Sequence, residues 1–399
     1  MHALCQLRRS QKGMRLRVLV GLSGGVDSAV AAYLLKQAGY EVTCCFMRNW
    51  DSVLNNDTLG NDTLNNDICP QEKDYNDAKR VAEQLDLPLL RSDYIQEYWD
   101  QVFRVFIDEY AKGRTPNPDI LCNKYIKFDH FLDFAKNNGF DRIATGHYFK
   151  SIQTENGIRY FKAFDLNKDQ SYFLAQVKKE ALDRTLFPLS DLLKSDVRRI
   201  AEELSLDVAD KKDSTGICFI GERHFREFLS NYIPMKEGKI IDIDTLEEIG
   251  THQGVYYYTI GQRKGFGVGG NRGPYYCVGK DVRNNVLYLT SVKNEQYLDS
   301  DSALITDINW ITEADMEEDI QCKFRYRQND NEVHLKKLDD HTAMLSYPQK
   351  VKAVTPGQQA VFYRNGELLG GGTIEITYLD GQDVTETLYK RVIHGRSNH

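Results

Sequence analysis

The sequence predicts an α/β first half built on a parallel sheet and a β second half. Three observations carry this. An apolar strand, Arg15–Leu22, runs through a Gly-Gly turn into a small-residue helix, Ala29–Ala38, that stops at Gly39. A second apolar strand, Glu41–Met47, follows, making a strand–helix–strand unit and so a parallel pair. From Gly238 onward, short β-rich runs separated by Gly, Asn and Asp replace that alternation, the pattern of a sandwich or barrel.

The remaining elements follow in order. Tyr75–Leu85, Glu97–Ala111 and Phe128–Lys136 read as helices, and Arg142–Thr145 as a strand ending at Gly146. The α/β character is exhausted by about Lys212. The β half reads as Lys239–Ile243, Gly254–Thr259, Tyr275–Val278 and Val286–Thr290, then Gln321–Arg327, Glu332–Leu338, Ala343–Tyr347, Ala360–Arg364 and Gly371–Tyr378. Three domains result: 1–212, a central β-rich module 213–295, and a C-terminal barrel 296–399. Between Asp51 and Cys69 an Asn/Asp-rich stretch with a near-repeat of Asn-Asp-Thr-Leu reads as a surface insertion, since such residues favour turns and build no core.

Composition narrows the function classes. With 399 residues, 41% hydrophobic and 27% charged, the chain can bury a core without staples and is too apolar for wholesale disorder. No run approaches a membrane span or a secretory h-region, and uneven cysteine spacing implies a reducing compartment. The expected location is therefore the cytoplasm, with a mitochondrial form as the alternative because residues 1–13 are basic and free of acids. The net charge of −7 argues against a generally basic nucleic-acid binder, but two local patches stand out. Residues 1–26 hold five basic side chains and no acid, and Thr259–Arg283 holds five against Asp281 alone.

The Gly-Gly turn reads Leu22-Ser-Gly-Gly-Val-Asp-Ser28. Gly24 and Gly25 let backbone N–H groups approach phosphate oxygens at a helix N-terminus, and Ser23 and Ser28 add hydroxyl donors. Asp27 is a candidate magnesium ligand. The run lacks the Gly-Lys-Ser/Thr ending of a γ-phosphoryl-transfer loop and is not Gly-x-Gly-x-x-Gly. It resembles the pyrophosphatase-type loop of enzymes that split ATP to AMP and pyrophosphate while activating an oxygen as its adenylate.

The nucleophile question turns on eight cysteines. Cys44, Cys45, Cys277 and Cys322 lie in strand-like runs and read as small buried hydrophobes. Cys5 belongs to the N-terminal tail and Cys69 borders the insertion. Cys122 follows a loop with two prolines and precedes Lys124 and Lys127; Cys218 follows Lys211, Lys212 and Gly216. Basic neighbours favour the thiolate, the attacking species. From the residues alone, this is either a working pair or two unrelated loop thiols. A zinc site is disfavoured: there is no Cys-x-x-Cys, and the two lie 96 residues apart (218 − 122).

Ten blocks in register, GLSGGVDSAVAAYLL, FMRNWD, EYWDQVF, GRTPNPDILCNKYIKF, ATGHY, KDQSYFL, KKDSTGICFIGER, TIGQRKG, FRYRQ and TPGQQAVFY, resemble the tRNA-specific 2-thiouridylases from about residue 15 to about 378. The resemblance implies a Rossmann-like domain of the adenine nucleotide alpha hydrolase type. It also implies ATP-dependent 2-thiolation of the wobble uridine of lysine, glutamate and glutamine tRNAs. ATP, with magnesium, adenylates the uridine C2 oxygen, and a cysteine persulfide loaded by a sulfur-carrier or desulfurase-type donor protein delivers sulfur. By resemblance, Cys218 carries the persulfide and Cys122 is the second catalytic thiol, with a Cys122–Cys218 disulfide left after turnover. Gly21, Leu22, Ser23, Gly24, Gly25, Val26, Asp27, Ser28, Met47 and Gly146 match ATP-binding positions. Asn117, Pro118 and Asp119 match the target-base site. His147, Lys168, Asp169, Gln170, Arg325, Tyr326 and Gln358 match tRNA contacts. No dedicated metal site, no membrane partner and a monomer are expected. The basic Gly261–Gly270 stretch reads as a phosphate-tracking arm, with a mobile hairpin as the alternative. Two rival readings stand beside this one: an ammonia-using adenylating ligase, and a non-catalytic RNA-binding relative.

Overall fold

The computed structural model describes residues 15–51, 70–213, 225–268 and 274–397. Residues 1–13, the Asn-rich insertion, Cys5, Cys69 and Cys218 lie outside these. The chain divides into two compact units: one of residues 1–103, 118–228 and 366–369, the other of residues 104–117, 229–365 and 370–399.

The first unit is built on a parallel sheet. Its strands are β1 (Arg17–Gly21), β2 (Glu41–Arg48), β3 (Leu89–Asp93), β4 (Arg142–Ala144) and, after an antiparallel hairpin of β5 (Lys150–Thr154) and β6 (Gly157–Phe161), β7 (Thr185–Leu186). The order is β3-β2-β1-β4-β7, all parallel. Val18, Leu19 and Val20 of β1 are wholly buried, as a central parallel strand covered on both faces requires. Helices α1 (Val26–Gln37), α2 (Pro70–Gln84) and α3 (Lys194–Glu203) contribute Ala29, Val30, Leu35, Ala78, Val81, Val197 and Ala201 to the core on this sheet. The chain leaves β1 toward β2 on one side and returns to β4 on the other. The crevice beyond the C-terminal ends of β1 and β4 is therefore a topological switch point, the place where such sheets take ligands.

Two helical readings are corrected in length and type. The element expected at Glu97–Ala111 begins at Ile95 and carries a π-helical turn at Trp99–Phe103 before Arg104–Ala111. The element expected at Phe128–Lys136 begins at Pro118, runs as a π-helix from Cys122 to His130 and continues as Phe131–Asn137. Pro118 opens this helix at a position where a missing N–H costs nothing, so prolines that suggested a loop mark a helix start.

The second unit holds a four-stranded sheet and a closed barrel. The sheet comprises β8 (Gly238–Asp242), β9 (Glu248–His252), β10 (Tyr275–Asp281) and β11 (Val286–Ser291), ordered β10-β11-β8-β9 with β8 and β11 parallel. The run Gly254–Thr259, expected as a strand, is instead a short 3₁₀ turn at Val255–Tyr257. Gly254 adopts φ +147° there, and its missing Cβ makes room for the Tyr257 ring. The barrel strands are β12 (Asp299–Trp310), β13 (Glu317–Lys323), β14 (Asn331–Lys337), β15 (Ala343–Lys352), β16 (Gln359–Arg364) and β17 (Glu367–Leu379), the last belonging to this unit from Gly370 onward. β12 pairs with both β15 and β17, which closes six strands and removes the edges. A C-terminal helix, α4 (Val384–Ser397), is absent from the sequence reading; Leu388 and Val392 pack it onto Ile241, Ile243, Val278 and Tyr288.

Barrel closure supplies a test. Gly370 pairs with Trp310 at φ +145°, and a Cβ there would lie 2.0 Å from the Asn309 carbonyl oxygen. Gly370→Ala is expected to cost about 2 kcal/mol or more, seen as a lowered denaturant midpoint. Gly366→Ala, at φ +81° with open space around the new methyl, should cost about 1 kcal/mol.

Candidate functional site

The phosphate-loop residues come together at the switch point of the first unit. Ser28 Oγ accepts from the Ser23 N–H at 3.2 Å, lies 3.2 Å from Ser23 Oγ and donates to the Gly25 carbonyl at 3.0 Å, so the turn is shaped before any ligand arrives. Leu22 N–H is tied to the Cys45 carbonyl at 2.9 Å. Gly25 is the N-cap of α1 and supplies no side-chain cap, leaving the helix N-terminus suited to an anion. Gly24 adopts φ +74°, and a Cβ on it would lie 2.3 Å from the Asp74 carbonyl oxygen of α2. Gly146, just past β4, sits so close to α1 that a Cβ would lie 2.8 Å from Ser28 N. The Met47 methyl lies over Gly21, 2.9 Å from where a Cβ would be. Each of these glycines marks a close approach of two backbones or of a backbone and a side chain.

Asp27, expected to take magnesium, accepts from Lys194 Nζ at 2.6 and 2.8 Å and from the Tyr148 hydroxyl at 2.9 Å. A metal at this carboxylate would have to displace an ammonium. Lys211, expected beside Cys218, donates instead to the Gly24 carbonyl at 3.0 Å, to Asp74 at 2.7 Å and to Asp77 at 2.6 Å. Its charge braces the loop against α2. Lys194, Tyr148 and Lys211 were not singled out as loop-bracing residues in the sequence. Tyr148 closes the ATGHY block, whereas Lys194 stands in a run with no motif to flag it.

Cys122 sits at the start of the π-helix, 2% exposed. Burial pushes its thiol up to about 11; Lys127 opposes this and Asp119 adds to it. The expectation of a thiolate favoured by two lysines is therefore overturned for the free protein. Desolvation outweighs Lys127, and Lys124 is turned away onto Gln176 Oε1 at 3.1 Å. The Asp119 carboxyl is likewise raised by burial, with Lys127 opposing. His147 lies 2.9 Å through Nδ1 from Thr145 Oγ1 and rests against Phe128; burial, aided by Lys127, pushes its imidazole down to about 3, so it is neutral at pH 7. Lys127 thus acts on Asp119, Cys122 and His147 alike. Asn123, next to the thiol and 2% exposed, donates to the Phe173 carbonyl at 3.2 Å, while its Oδ1 has no hydrogen-bond partner among the described residues.

The residues matched to tRNA contacts are built into local networks. Lys168 Nζ pairs with Asp213 at 2.6 Å. Asp169, 4% exposed, accepts from the Ala163 N–H and the Ser171 hydroxyl. Gln170 exchanges hydrogen bonds with the Tyr148 backbone. In the second unit, Arg325 lies in a turn after β13, not in a strand. Its Nη2 donates to the Ile260 and Ala353 carbonyls and to Thr355 Oγ1 at 2.7–2.9 Å, anchoring the TIGQRKG turn. Tyr326 occupies the same turn, half-buried. Gln358 Nε2 donates to the Thr115 carbonyl at 2.5 Å, which together with the Thr115 N–H to Pro356 bond holds the segment ending at Asn117. The boundary between the two units falls between Asn117 and Pro118.

The described part of the glycine-rich stretch, Gly261–Val268, is pinned rather than loose. Gly261 N–H donates to the Cys277 carbonyl at 2.8 Å and Phe266 stacks on Tyr258, leaving Arg263 and Lys264 exposed. Cys44, Cys45, Cys122, Cys277 and Cys322 are free and buried; the disulfide implied for Cys122 has its partner outside the described residues. Among the described residues no cluster of metal-ligating side chains is present, and no helix is long and apolar enough to cross a membrane.

Three family profiles match the chain: a tRNA methyl transferase HUP domain at residues 16–222, a tRNA methyl transferase PRC-barrel domain at 226–291, and an aminomethyltransferase beta-barrel domain at 300–374. A protein from Mycoplasma mycoides subsp. mycoides named tRNA-specific 2-thiouridylase MnmA is 56% identical over 371 residues, 91% of this chain and 99% of the relative. Proteins of the same name from Mesoplasma florum and Acholeplasma laidlawii are 55% and 52% identical, each over 372 residues. These cover 91% and 92% of this chain, and 100% and 99% of the relatives.

The buried thiol sets an expectation for pH dependence. A raised pKa keeps Cys122 protonated through neutral pH, so in the free protein its alkylation by iodoacetamide should be slow at pH 7. It should climb with a midpoint near 11 rather than the ordinary 9.0, read by peptide mass mapping. Lys127→Met should move that midpoint higher still.

Proposed function

The chain belongs to the tRNA-specific 2-thiouridylase family, and from that premise we propose that it thiolates C2 of the wobble uridine (position 34) of lysine, glutamate and glutamine tRNAs, with ATP as activator and a cysteine persulfide as sulfur source. The profile descriptions speak of methyl transfer, but relatives identical at 52–56% along nearly the whole chain carry the thiouridylase name, and that breadth decides the family. The carrying observation is a preshaped anion loop at the β1 switch point in the same unit as a buried thiol flanked by Asp119 and Lys127. It supports activation of an oxygen by ATP followed by sulfur chemistry.

In this reading Gly21–Ser28 takes the phosphates, with Met47 and Gly146 bordering the nucleotide. Magnesium comes with ATP as part of the substrate. Uridine O2 attacks the α-phosphorus and pyrophosphate leaves. The terminal sulfur of the Cys218 persulfide then attacks C2 and AMP leaves. Cys122 attacks Cys218 Sγ, either to free the thiolated base or earlier to release hydrosulfide. Both routes end in a Cys122–Cys218 disulfide that an external dithiol reopens, and a donor protein reloads Cys218. Splitting one displacement at an unactivated C2–O bond into two easier steps is the purpose of the adenylate. Asn117, Pro118 and Asp119 hold the extruded base, since C2 is out of reach in a stack. His147, Lys168, Asp169, Gln170, Arg325, Tyr326 and Gln358 carry over as tRNA-contact positions. Of these, Arg325 also holds the Arg263–Lys264 turn and Gln358 the segment ending at Asn117. We assign nucleotide chemistry to residues 1–212 and RNA binding to 213–295 and 296–399.

The deciding experiment is mass analysis of tRNA incubated with the protein, ATP and a persulfide donor. One sulfur should appear at position 34, and Cys122→Ser and Cys218→Ser should each abolish it. Sulfur gained with either thiol absent overturns the assignment. Arg263→Ala with Lys264→Ala should weaken tRNA binding and flatten its dependence on log salt by about 2, close to one unit for each phosphate no longer neutralised. An unchanged slope removes the turn from the interface.

A further inference from the structure

Behind the phosphate loop, one closed circuit of polar contacts joins residues that the sequence keeps far apart, all within the first unit. Lys194 Nζ donates to both oxygens of Asp27 and lies 2.8 Å from Asp213 Oδ1. Asp213 Oδ2 accepts from Lys168 Nζ at 2.6 Å. Two residues on, Gln170 exchanges hydrogen bonds with the Tyr148 backbone, its side chain accepting from Tyr148 N–H at 3.0 Å and its own N–H reaching the Tyr148 carbonyl at 2.9 Å. The Tyr148 hydroxyl returns to Asp27 at 2.9 Å. Asp27 belongs to the anion loop, and Lys168–Gln170 to the segment assigned to tRNA contact.

Lys194 is the least exposed charge in the circuit, with 13% of its side chain accessible against 33% for Asp27 and 32% for Asp213. An ammonium has three hydrogens, and here three carboxylate oxygens of two residues stand within 2.8 Å of it. Asp213 answers the same geometry: burial would raise its carboxyl, but hydrogen bonds from Lys168 and Lys194 win and hold it down to about 2. Arg198, a turn further along α3, adds a third cation to Asp213 at 2.8 Å. The backbone of Lys194 is fixed as well, its N–H donating to Asp165 Oδ2 at 2.9 Å, so the ammonium cannot drift by moving the helix start.

We propose that Lys194 is a positioning residue that couples nucleotide occupancy of the Gly21–Ser28 loop to the Lys168–Gln170 segment, by dividing its ammonium between Asp27 and Asp213. A polyanion entering the loop raises the negative potential around Asp27 and draws the ammonium toward it. The Asp213 carboxylate is then held less by Lys194 at Oδ1, and more by Arg198 at that oxygen and by Lys168 at Oδ2, which resets the side chain that heads the tRNA-contact segment. Because such coupling is reciprocal, RNA engaging Lys168 tightens the hold of Lys194 on the loop. The inference rests on the thiouridylase reading for the identity of its two ligands.

The test measures binding, not turnover. Affinity of the full-length protein for an unmodified lysine tRNA transcript is measured with and without α,β-methylene-ATP, which cannot be cleaved at the α-phosphorus. The wild type should bind tRNA at least about fivefold tighter with the nucleotide. Lys194→Gln should bring that ratio, read within the variant itself, to within twofold of unity. Lys194→Arg should keep most of the ratio. Asp213→Asn, which cuts the same link from the other side, should also abolish it, and decides the matter if Lys194→Gln does not fold. A wild-type ratio near one, or a full ratio in a folded Lys194→Gln or Asp213→Asn protein, overturns the proposal. Absence of sulfur transfer by the wild type would instead overturn the functional reading, so the two failures are told apart.

Discussion

Asp27 places a negative charge at the N-terminus of α1, in the same turn whose open backbone N–H groups invite an anion, and the surrounding structure is organised around that conflict. Two like charges about 4 Å apart repel by about 4 kcal/mol at a protein-like effective dielectric, whereas a helix N-terminus returns about 0.3–1 kcal/mol. The helix alone cannot reconcile Asp27 with a phosphate. A neighbouring cation can, and Lys194 sits against both Asp27 oxygens with most of its side chain buried. Lys211 performs the complementary task on the other flank, joining the Gly24 carbonyl to Asp74 and Asp77. The glycines let the loop approach its neighbours, and the two lysines keep it from being pushed away again.

At Cys122 the balance goes the other way. A single lysine in the same π-helix cannot offset the loss of water around a thiol that is 2% exposed, so the free protein holds it protonated. The π-helix itself matters here. Its i to i+5 hydrogen bonds bring Cys122 and Lys127 to neighbouring turns on the same side, where an ordinary α-helix would rotate them apart. Asp119, Cys122 and His147 therefore share one cation, and each responds to it by its own charge type.

What the sequence made legible were features written in local chemistry. Ser23–Ser28 could be read as an anion loop because two glycines, two hydroxyls and a strand–helix junction are adjacent in the chain. The parallel sheet and the β character of the second half followed from hydrophobic period. Partners set by tertiary packing were illegible. Lys211 looks like a neighbour of Cys218 until the fold carries it to Gly24. Arg325 looks like a phosphate ligand until Ile260, Ala353 and Thr355 surround its guanidinium. The strand expected at Gly254–Thr259 failed because the left-handed Gly254 breaks the pleat, and α4 escaped notice because its apolar positions are few and spaced for one narrow contact with the central sheet.

A protonated Cys122 also limits what the arrival of the substrate can do to it. Bringing RNA close adds negative charge, which raises a thiol further, so arrival of the substrate cannot by field alone produce a thiolate. Burial and Lys127 likewise keep the His147 imidazole neutral. Asp119 precedes Cys122 by three residues, and burial raises its carboxyl as it raises the thiol, with Lys127 opposing both shifts. The desolvation that raises the thiol thus raises the neighbouring carboxyl too, and a negative charge on either of them is one that Lys127 favours.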